Sequence, residues 1–152
     1  MNGRLLGIDH GLKRIGIAVS DPTGLVAREL EIITRKSKKE DFERIQHLAQ
    51  QHQVVGFVVG MPHNFDLPPD VPSPADRVNR WLEHFRPTTP LPIVLWDEQM
   101  SSVDAQELSR QKRRHVRDPI DDLAARVILQ SFLDALRDGL AEFPPSPSNQ
   151  EE

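Results

Sequence analysis

The sequence contains no cysteine, and this absence excludes several kinds of functional site. Without cysteine the chain builds no disulfide framework, no thiolate metal site and no cysteine nucleophile. Any bound metal ion must therefore be held by oxygen or imidazole ligands. The sequence also lacks an apolar run approaching the roughly 20 residues that span a bilayer, so we expect a cytoplasmic protein without a membrane partner.

Acidic residues outnumber basic ones, 23 to 19, but the basic residues are locally concentrated. The 152 residues, enough for one domain, carry a formal net charge of −4, which argues against a nucleic-acid partner unless basic residues cluster. Residues 110–117 hold five Lys or Arg and no acid. A helix C-terminus favours cations in any protein, so a solvated basic turn is one interpretation. We favour contact with a phosphate backbone, made by Lys112, Arg113, Arg114 and Arg117.

The apolar pattern changes period along the chain and predicts an α/β fold. Alternating or continuous apolar runs predict strands, and apolar residues that recur every three or four positions predict helices. Ser37 and Ser73 are expected to cap the first two helices. The order, three strands and then alternating helices and strands, implies one mixed sheet with helices on both faces. The predicted strands are 4–9, 14–20, 26–34, 54–60 and 92–97, and the predicted helices are 38–52, 73–87, 102–112 and 119–138.

Residues 143–152 differ in composition from the rest of the chain. They are rich in proline and serine and low in apolar residues, which is typical of a disordered segment. We therefore expect one domain over residues 1–142 and a disordered C-terminal tail that folding and activity do not need.

Acidic residues lie at three of the predicted element ends. Asp9 ends the first strand, Asp97 and Glu98 end the fifth, and Asp121 lies in the first turn of the last helix. Each has an ordinary alternative role, because aspartate forms turns and acids at a helix start suit the helix dipole. Adjacent residues on an extended chain point in opposite directions, so only one of Asp97 and Glu98 faces a shared site.

Taken together, the three positions predict a metal centre. Two-metal hydrolysis of a phosphodiester needs several carboxylates that converge on Mg²⁺ or Mn²⁺ ions about 3.5–4 Å apart. Three acids at three element ends are able to supply such a set.

Four ordered motifs make the interpretation more specific. They are Asp9-x-Gly11-x-Lys13-Arg14-Ile15-Gly16-x-Ala18-x-Ser20-Asp21, Val59-Gly60-x-Pro62-x-Asn64-x-Asp66, Trp96-Asp97-Glu98-x-x-Ser101 and Ile120-Asp121-x-x-Ala124-Ala125-x-x-Ile128-Leu129. In order and approximate spacing they resemble the YqgF/RuvX family of the ribonuclease H-like superfamily. The resemblance covers about residues 4–137.

The resemblance implies a ribonuclease H-like fold, with a five-stranded mixed sheet in the order 3-2-1-4-5 flanked by helices. It implies that Asp9, Glu98 and Asp121 are catalytic and hold Mg²⁺ or Mn²⁺, with an activated water attacking the phosphodiester. The implied substrates are structured nucleic acids: RNA is favoured, above all the 5′ end of pre-16S rRNA, and branched DNA such as a Holliday junction is the other. A pre-ribosomal particle is the implied partner, and we expect a monomer or a homodimer.

Other residues near the predicted crevice are candidates for binding. Lys13 and Arg14 follow Asp9 and could approach a scissile phosphate, although two cations at a strand start are commonly solvated. Asn64 belongs to the second motif and is a further candidate for contact with nucleic acid. The six histidines lack the spacing of a zinc site, and only His10 and His63 lie on loops expected near the crevice.

Two other functions remain open. Gln99 stands where the family has arginine, so the chain could be a catalytically weak RNA- or ribosome-binding factor. Metal-dependent cleavage that Asp9→Asn abolishes would exclude this alternative. The Gly-Ile-Asp-x-Gly turn also occurs in actin-like and sugar-kinase ATPases, but those enzymes need a second lobe that 152 residues do not hold.

Overall fold

A five-stranded sheet organises the described part of the chain. The computed structural model describes residues 3–62, 73–97 and 120–144, with the backbone alone for residues 120–123. The strand order is β3-β2-β1-β4-β5, with β2 antiparallel to β1 and β3, and β4 parallel to β1 and β5. The predicted order is therefore confirmed, and each predicted strand agrees to within one residue at either end. The strands are β1 (Arg4–His10), β2 (Arg14–Ser20), β3 (Ala27–Thr34), β4 (Val54–Met61) and β5 (Ile93–Asp97).

Side-chain caps define where the first two helices begin. They are α1 (Lys38–Gln51) and α2 (Pro74–Phe85), and a 3-10 turn at Arg86–Thr88 follows α2. At α1 the Ser37 hydroxyl accepts the backbone N–H of Glu40 at 3.1 Å. At α2 Ser73 and Asp76 form a reciprocal capping box. Both predicted caps are therefore confirmed.

A glycine closes the last helix, α3 (Ile120–Arg137). Gly139 has a φ of +75°, and the backbone N–H of Leu140 reaches back to the carbonyl of Ala135 at 2.8 Å. This is the Schellman arrangement, in which a left-handed residue closes the last turn. The predicted helix at 102–112 lies outside the described residues. Within the described ranges, no helix is long and apolar enough to cross a membrane.

The two faces of the sheet carry side chains of different size. On one face α1 and α2 bury large residues, including Trp81 and Phe85, whose rings stack with centroids 4.9 Å apart. On the other face α3 packs against small residues, because an added Cβ at Gly7 would lie 2.8 Å from the Leu129 Cβ. The prediction of helices on both faces is confirmed, and the small residues bring α3 close to the sheet.

Phe143, the first residue of the predicted tail, packs against the core. It is half-buried beside the α3 side of the sheet, and its ring occupies the space where a Cβ at Gly56 would lie. Residues 145–152 lie outside the described part, so their disorder stays a prediction. The described packing moves the expected boundary of the folded domain from residue 142 to at least residue 143.

Two truncations are expected to differ in stability. Removal of residues 145–152 should leave the melting temperature near that of the full chain, because those residues lack apolar content. Removal of residues 143–152 should cost about 1–2 kcal/mol, since a half-buried Phe is lost. Thermal unfolding of both truncations and of Phe143→Ala checks this. Equal melting temperatures for the two truncations would show that the Phe143 contact contributes nothing.

Candidate active site

Asp9 is buried at the carboxyl end of β1, on the sheet face that α3 covers. Its side chain is 7% exposed. Side chains alternate along a strand, and both Leu5 and Gly7 lie against α3. Asp9 is the next residue in that series, so it faces α3 as well. The fold therefore holds this carboxyl group in the interior at one end of the sheet.

Glycine flanks Asp9 on both neighbouring strands. Gly16 of β2 is its cross-strand partner. On the other side, the pairing of Ile8 with Val59 in parallel register brings Gly60 beside Asp9. Gly60 also faces α3, since a Cβ there would lie 2.4 Å from Ile128 Cδ1. Both positions beside the carboxyl group therefore lack a side chain, and at Gly60 the space that a side chain would fill is occupied by Ile128 of α3.

Two contacts fix the direction of α3 relative to the sheet. The Ala27 N–H donates to the side chain of Gln130 at 2.8 Å, and Arg126 forms an ion pair with Glu29 at 3.2 Å. Residue numbers thus rise along β3 while they fall along α3. Because β3 and β1 are both antiparallel to β2, α3 is also antiparallel to β1. The first turn of α3 therefore lies at the same end of the sheet as Asp9.

The backbone of Asp121 lies at about the level of Asp9 along the sheet. The Ala125 carbonyl oxygen is 3.2 Å from the Cβ position at Gly7. Asp9 is two residues further along β1, or about 7 Å, which an α-helix covers in four to five residues. Position 121 is four residues before Ala125 and belongs to the first turn of α3. The Asp121 side chain lies outside the described part of the structure.

Trp96 determines which way the end of β5 faces. Its indole N–H donates to the Ser131 hydroxyl at 3.0 Å, and its ring makes an edge contact with Phe132 of α3. Trp96 is therefore on the α3 face, and Asp97 points to the opposite face, away from Asp9. This arrangement disfavours Asp97 as a ligand shared with Asp9. Glu98 lies outside the described residues.

Lys13 and Arg14 are exposed on the tight connection between β1 and β2. The Gly11 N–H donates to the Arg14 carbonyl at 2.9 Å, which closes this hairpin directly after Asp9. The two cations thus lie at the end of the sheet that carries the buried carboxyl group. The remaining candidates for nucleic-acid contact lie outside the described residues: Asn64, Lys112, Arg113, Arg114 and Arg117.

His10 does not lie on a loop, contrary to the expectation from sequence. It is the last residue of β1 and packs on Trp81, with ring centroids 5.0 Å apart. Since Asp9 faces α3, its neighbour faces α2 on the other side of the sheet. Burial, together with the positive charges of Arg35 and Arg77, lowers the pKa of His10 to about 4. The imidazole is therefore neutral at pH 7 and does not contact the Asp9 side of the sheet.

The lowered pKa of His10 is expected to make the fold acid-sensitive. Between pH 6.5 and 4 the unfolded chain binds a proton at His10 that the folded chain does not, so stability falls as pH falls through this window. In His10→Gln, the loss of unfolding free energy between pH 6.5 and pH 4 should be smaller by about 1–2 kcal/mol, after allowance for partial exposure of the ring. Urea unfolding at several pH values measures this, with His84→Gln as the control. An unchanged slope in His10→Gln would contradict the assignment.

The carboxyl group of Asp9 has the chemistry that a hard divalent cation requires. Mg²⁺ and Mn²⁺ favour carboxylate oxygen, which Asp9 provides at the end of β1. Among the residues whose side chains are described, no group of three or more His, Asp or Glu forms a possible metal site. Since Glu98 and the Asp121 side chain lie outside that set, the three-acid metal centre stays a prediction.

The sequence pattern did not single out the glycines around Asp9 as part of the site. Gly7, Gly16 and Gly60 all lie inside strands, where glycine weakens the sheet and provides no side chain to pack. That unfavourable placement is itself a signal of close approach by a ligand or another backbone. The structure identifies the second partner as α3 at Gly7 and Gly60.

The described part of the chain has the ribonuclease H-like fold that RuvC shows. A structure titled "T. thermophilus RuvC in complex with Holliday junction substrate" matches with a TM-score of 0.64 at 16% identity, covering 91% of this chain and 98% of that one. A second Thermus thermophilus RuvC structure matches with a TM-score of 0.61 at 17% identity and the same coverage. At such low identity the likeness establishes the fold alone.

Sequence comparison identifies the family. The family model RuvX, described as Holliday junction resolvase, matches residues 3–135. A protein of Thermoanaerobacter pseudethanolicus named "Putative pre-16S rRNA nuclease" is 40% identical over 141 residues, which are 87% of this chain and 96% of that protein. A protein of the same name from Symbiobacterium thermophilum is 40% identical over 139 residues, 87% of this chain and 92% of that one. The chain belongs to the RuvX family.

Proposed function

We propose that this chain is a metal-dependent nuclease that hydrolyses phosphodiester bonds in structured nucleic acid. Processing of the 5′ end of pre-16S rRNA is the favoured reaction, in keeping with the names of the relatives, and cleavage of Holliday junction-like DNA is the second. The observation that carries the proposal is the burial of Asp9 at the end of β1, level with the first turn of an antiparallel α3.

Asp9, Glu98 and Asp121 are the proposed metal ligands. Asp9 and the start of α3 lie at one end of the sheet, on one face of it. Trp96 faces α3, so an extended chain beyond it would return to that face at position 98, whereas Asp97 faces away. Glu98 is therefore favoured over its neighbour as the ligand contributed after β5.

The proposed ligands suit hydrolysis rather than a covalent mechanism through the protein. When bound, Mg²⁺ or Mn²⁺ supplies an activated water and neutralises charge on the phosphate. The three carboxylates hold the ions, and the burial of Asp9 keeps its oxygen atoms in a fixed position.

Basic residues provide the proposed contacts with the phosphate backbone. Lys13 and Arg14 are exposed on the hairpin that follows Asp9, and we propose that they contact phosphates that flank the scissile bond. We propose the same role for Asn64, which follows β4 in the sequence, and for Lys112, Arg113, Arg114 and Arg117, which precede α3 in the sequence. This arrangement would localise positive charge around the site in a protein of net negative charge.

A substrate screen with the purified full chain tests the proposal. The substrates are 16S rRNA fragments with extended 5′ ends, single strands and four-way DNA junctions, each with Mg²⁺, Mn²⁺ or a chelator. We expect metal-dependent cleavage, with the extended 5′ end of the rRNA preferred. Binding of these substrates without cleavage under any metal condition would overturn the nuclease function and favour an RNA-binding factor.

A further inference from the structure

A second group of cations lies beside the hairpin, on the corner between β3 and α1. This corner patch consists of Arg35, Lys36, Lys38 and Lys39. Together with the hairpin residues Lys13 and Arg14, residues 10–14 and 34–39 contain six Lys or Arg and no Asp or Glu. Lys36, Lys38 and Lys39 are exposed. Across the part of the chain that the structure describes, none of the four patch residues forms an ion pair with a carboxylate.

Hydrogen bonds join the corner patch to the hairpin. The Arg35 N–H donates to the Lys13 carbonyl at 2.9 Å. Its guanidinium donates to the carbonyls of Gly11 and Leu12 at 3.0 and 3.2 Å. The patch and the hairpin therefore form one continuous basic surface, and its orientation relative to Asp9 is fixed by the sheet rather than by a free loop.

Helix stability does not explain where the lysines of the patch lie. Lys38 and Lys39 belong to the first turn of α1, and Lys36 precedes its cap residue, Ser37. Positive charge at a helix N-terminus opposes the helix dipole, at a cost of typically 0.3–1 kcal/mol. These lysines lie at the less favourable end of the helix. Burial of apolar surface does not explain their position either, because they are exposed.

The patch begins directly after Thr34 on β3, and α1, which carries Lys38 and Lys39, packs on the sheet face opposite the one that Asp9 faces, so a polyanion that contacts both Asp9 and the patch runs around the β3 edge of the sheet. Asp9 pairs with Gly16, which pairs with Ile32, and Thr34 lies two residues further along β3. Two strand spacings and two residues along a strand give about 12 Å between the Cα atoms of Asp9 and Thr34. At about 3.4 Å per base pair, this distance corresponds to three to four base pairs of a duplex.

We propose that the corner patch binds the phosphate backbone of a nucleic acid a few nucleotides away from the Asp9 site. The patch contributes affinity and orientation, whereas the carboxylates carry the chemistry. The inference rests on the proposed function only in that the ligand is a nucleic acid. It does not require that the chain cleaves that ligand.

Salt-dependent binding tests the patch with a matched control. The test variant is Lys36→Gln/Lys38→Gln/Lys39→Gln, and the control is Arg4→Gln/Arg28→Gln/Arg86→Gln, which removes the same charge elsewhere. The probes are RNA and DNA duplexes of about 20 base pairs, without divalent metal, between about 50 and 200 mM salt. Each phosphate contact contributes about 0.9 to the slope of log K against log salt, so the test variant should flatten it by roughly 2–3. The control should retain the slope of the unmodified chain.

The possible outcomes distinguish this inference from the proposed function. The proposal that the patch binds nucleic acid is overturned if the salt-dependence slope of the test variant is unchanged, or if the control variant changes its slope equally. A second result would also overturn the proposal. The unmodified chain would bind anionic phospholipid vesicles, the test variant would lose that binding, and binding to the duplexes would not change; the patch would then be a lipid-binding surface. A flattened slope combined with no cleavage in the substrate screen supports the patch and overturns only the nuclease function.

Discussion

Replacing Asp9 by asparagine is expected to lower the cleavage rate at least about a hundredfold while the fold stays intact. Asparagine has the same shape and keeps one acceptor oxygen, but it is a far weaker ligand for a hard divalent cation. A hundredfold loss corresponds to about 2.7 kcal/mol of transition-state stabilisation. Glu98→Gln and Asp121→Asn are expected to lose at least as much, because the proposed centre needs all three carboxylates. Single-turnover rates on the best substrate of the screen measure the effect.

Two measurements control for effects of Asp9→Asn other than loss of the metal: the change in melting temperature with added metal, and the rate of the variant Asp97→Asn. Mg²⁺ or Mn²⁺ should raise the melting temperature of the unmodified chain by mass action and should fail to raise that of Asp9→Asn. Asp97→Asn removes an acid one position from Glu98 but on the face opposite Asp9, so its rate should stay within a few-fold of the unmodified chain. Full activity in Asp9→Asn would exclude the proposed metal centre. A hundredfold loss of rate in Asp97→Asn would assign the metal-ligand role to Asp97 instead of Glu98.

The sheet was predictable because its strands carry strong local signals. Val54–Met61 is almost continuously apolar, which is typical of a strand buried on both faces, and it pairs in parallel with two neighbours. The capping residues Ser37 and Ser73 marked the helix starts for an equally local reason. The strand order itself came from the resemblance to the YqgF/RuvX family, since local patterns do not determine which strands are neighbours.

The orientation of individual side chains at the site was less predictable, because it depends on distant contacts. Strand β1 is one residue longer than predicted and includes His10. Because side chains alternate along a strand, His10 then points to the face opposite Asp9. The orientation of Asp97 follows from Trp96, which a hydrogen bond joins to Ser131, 35 positions away. No property of residues 96 and 97 alone specifies that contact.

The end of the folded domain shows the same limitation. Composition places Phe143 with the prolines and serines that follow it. The structure packs its ring against Gly56, a strand glycine whose missing side chain provides the space. Such a fit depends on tertiary contact between residues 87 positions apart, so composition cannot reveal it. The three-acid centre stays a prediction, because the side chains of Glu98 and Asp121 lie outside the described part of the structure.

Gly7→Ala is expected to reduce both stability and activity, because Gly7 determines how closely α3 approaches β1. The added Cβ would lie 2.8 Å from the Leu129 Cβ and 3.2 Å from the Ala125 carbonyl oxygen. Both atoms are fixed to the helix backbone, so α3 itself must shift. Overpacking of this kind costs about 1–3 kcal/mol. Because Asp121 lies in the first turn of α3, a displacement approaching 1 Å is expected to lower the cleavage rate by about tenfold to a hundredfold.

Gly56→Ala is the matched control for this displacement. The same methyl group is added on the same face of the sheet, but at the other end, where it would lie 2.3 Å from an atom of the Phe143 ring and 3.1 Å from the Pro92 carbonyl oxygen, neither of which belongs to α3. That ring can move without moving α3, so Gly56→Ala should lose stability yet keep the rate per folded molecule. Urea unfolding and single-turnover rates, measured on both variants, separate the two effects. If Gly7→Ala keeps the cleavage rate of the unmodified chain, or if Gly56→Ala loses rate equally, then the distance between α3 and β1 does not position the catalytic residues.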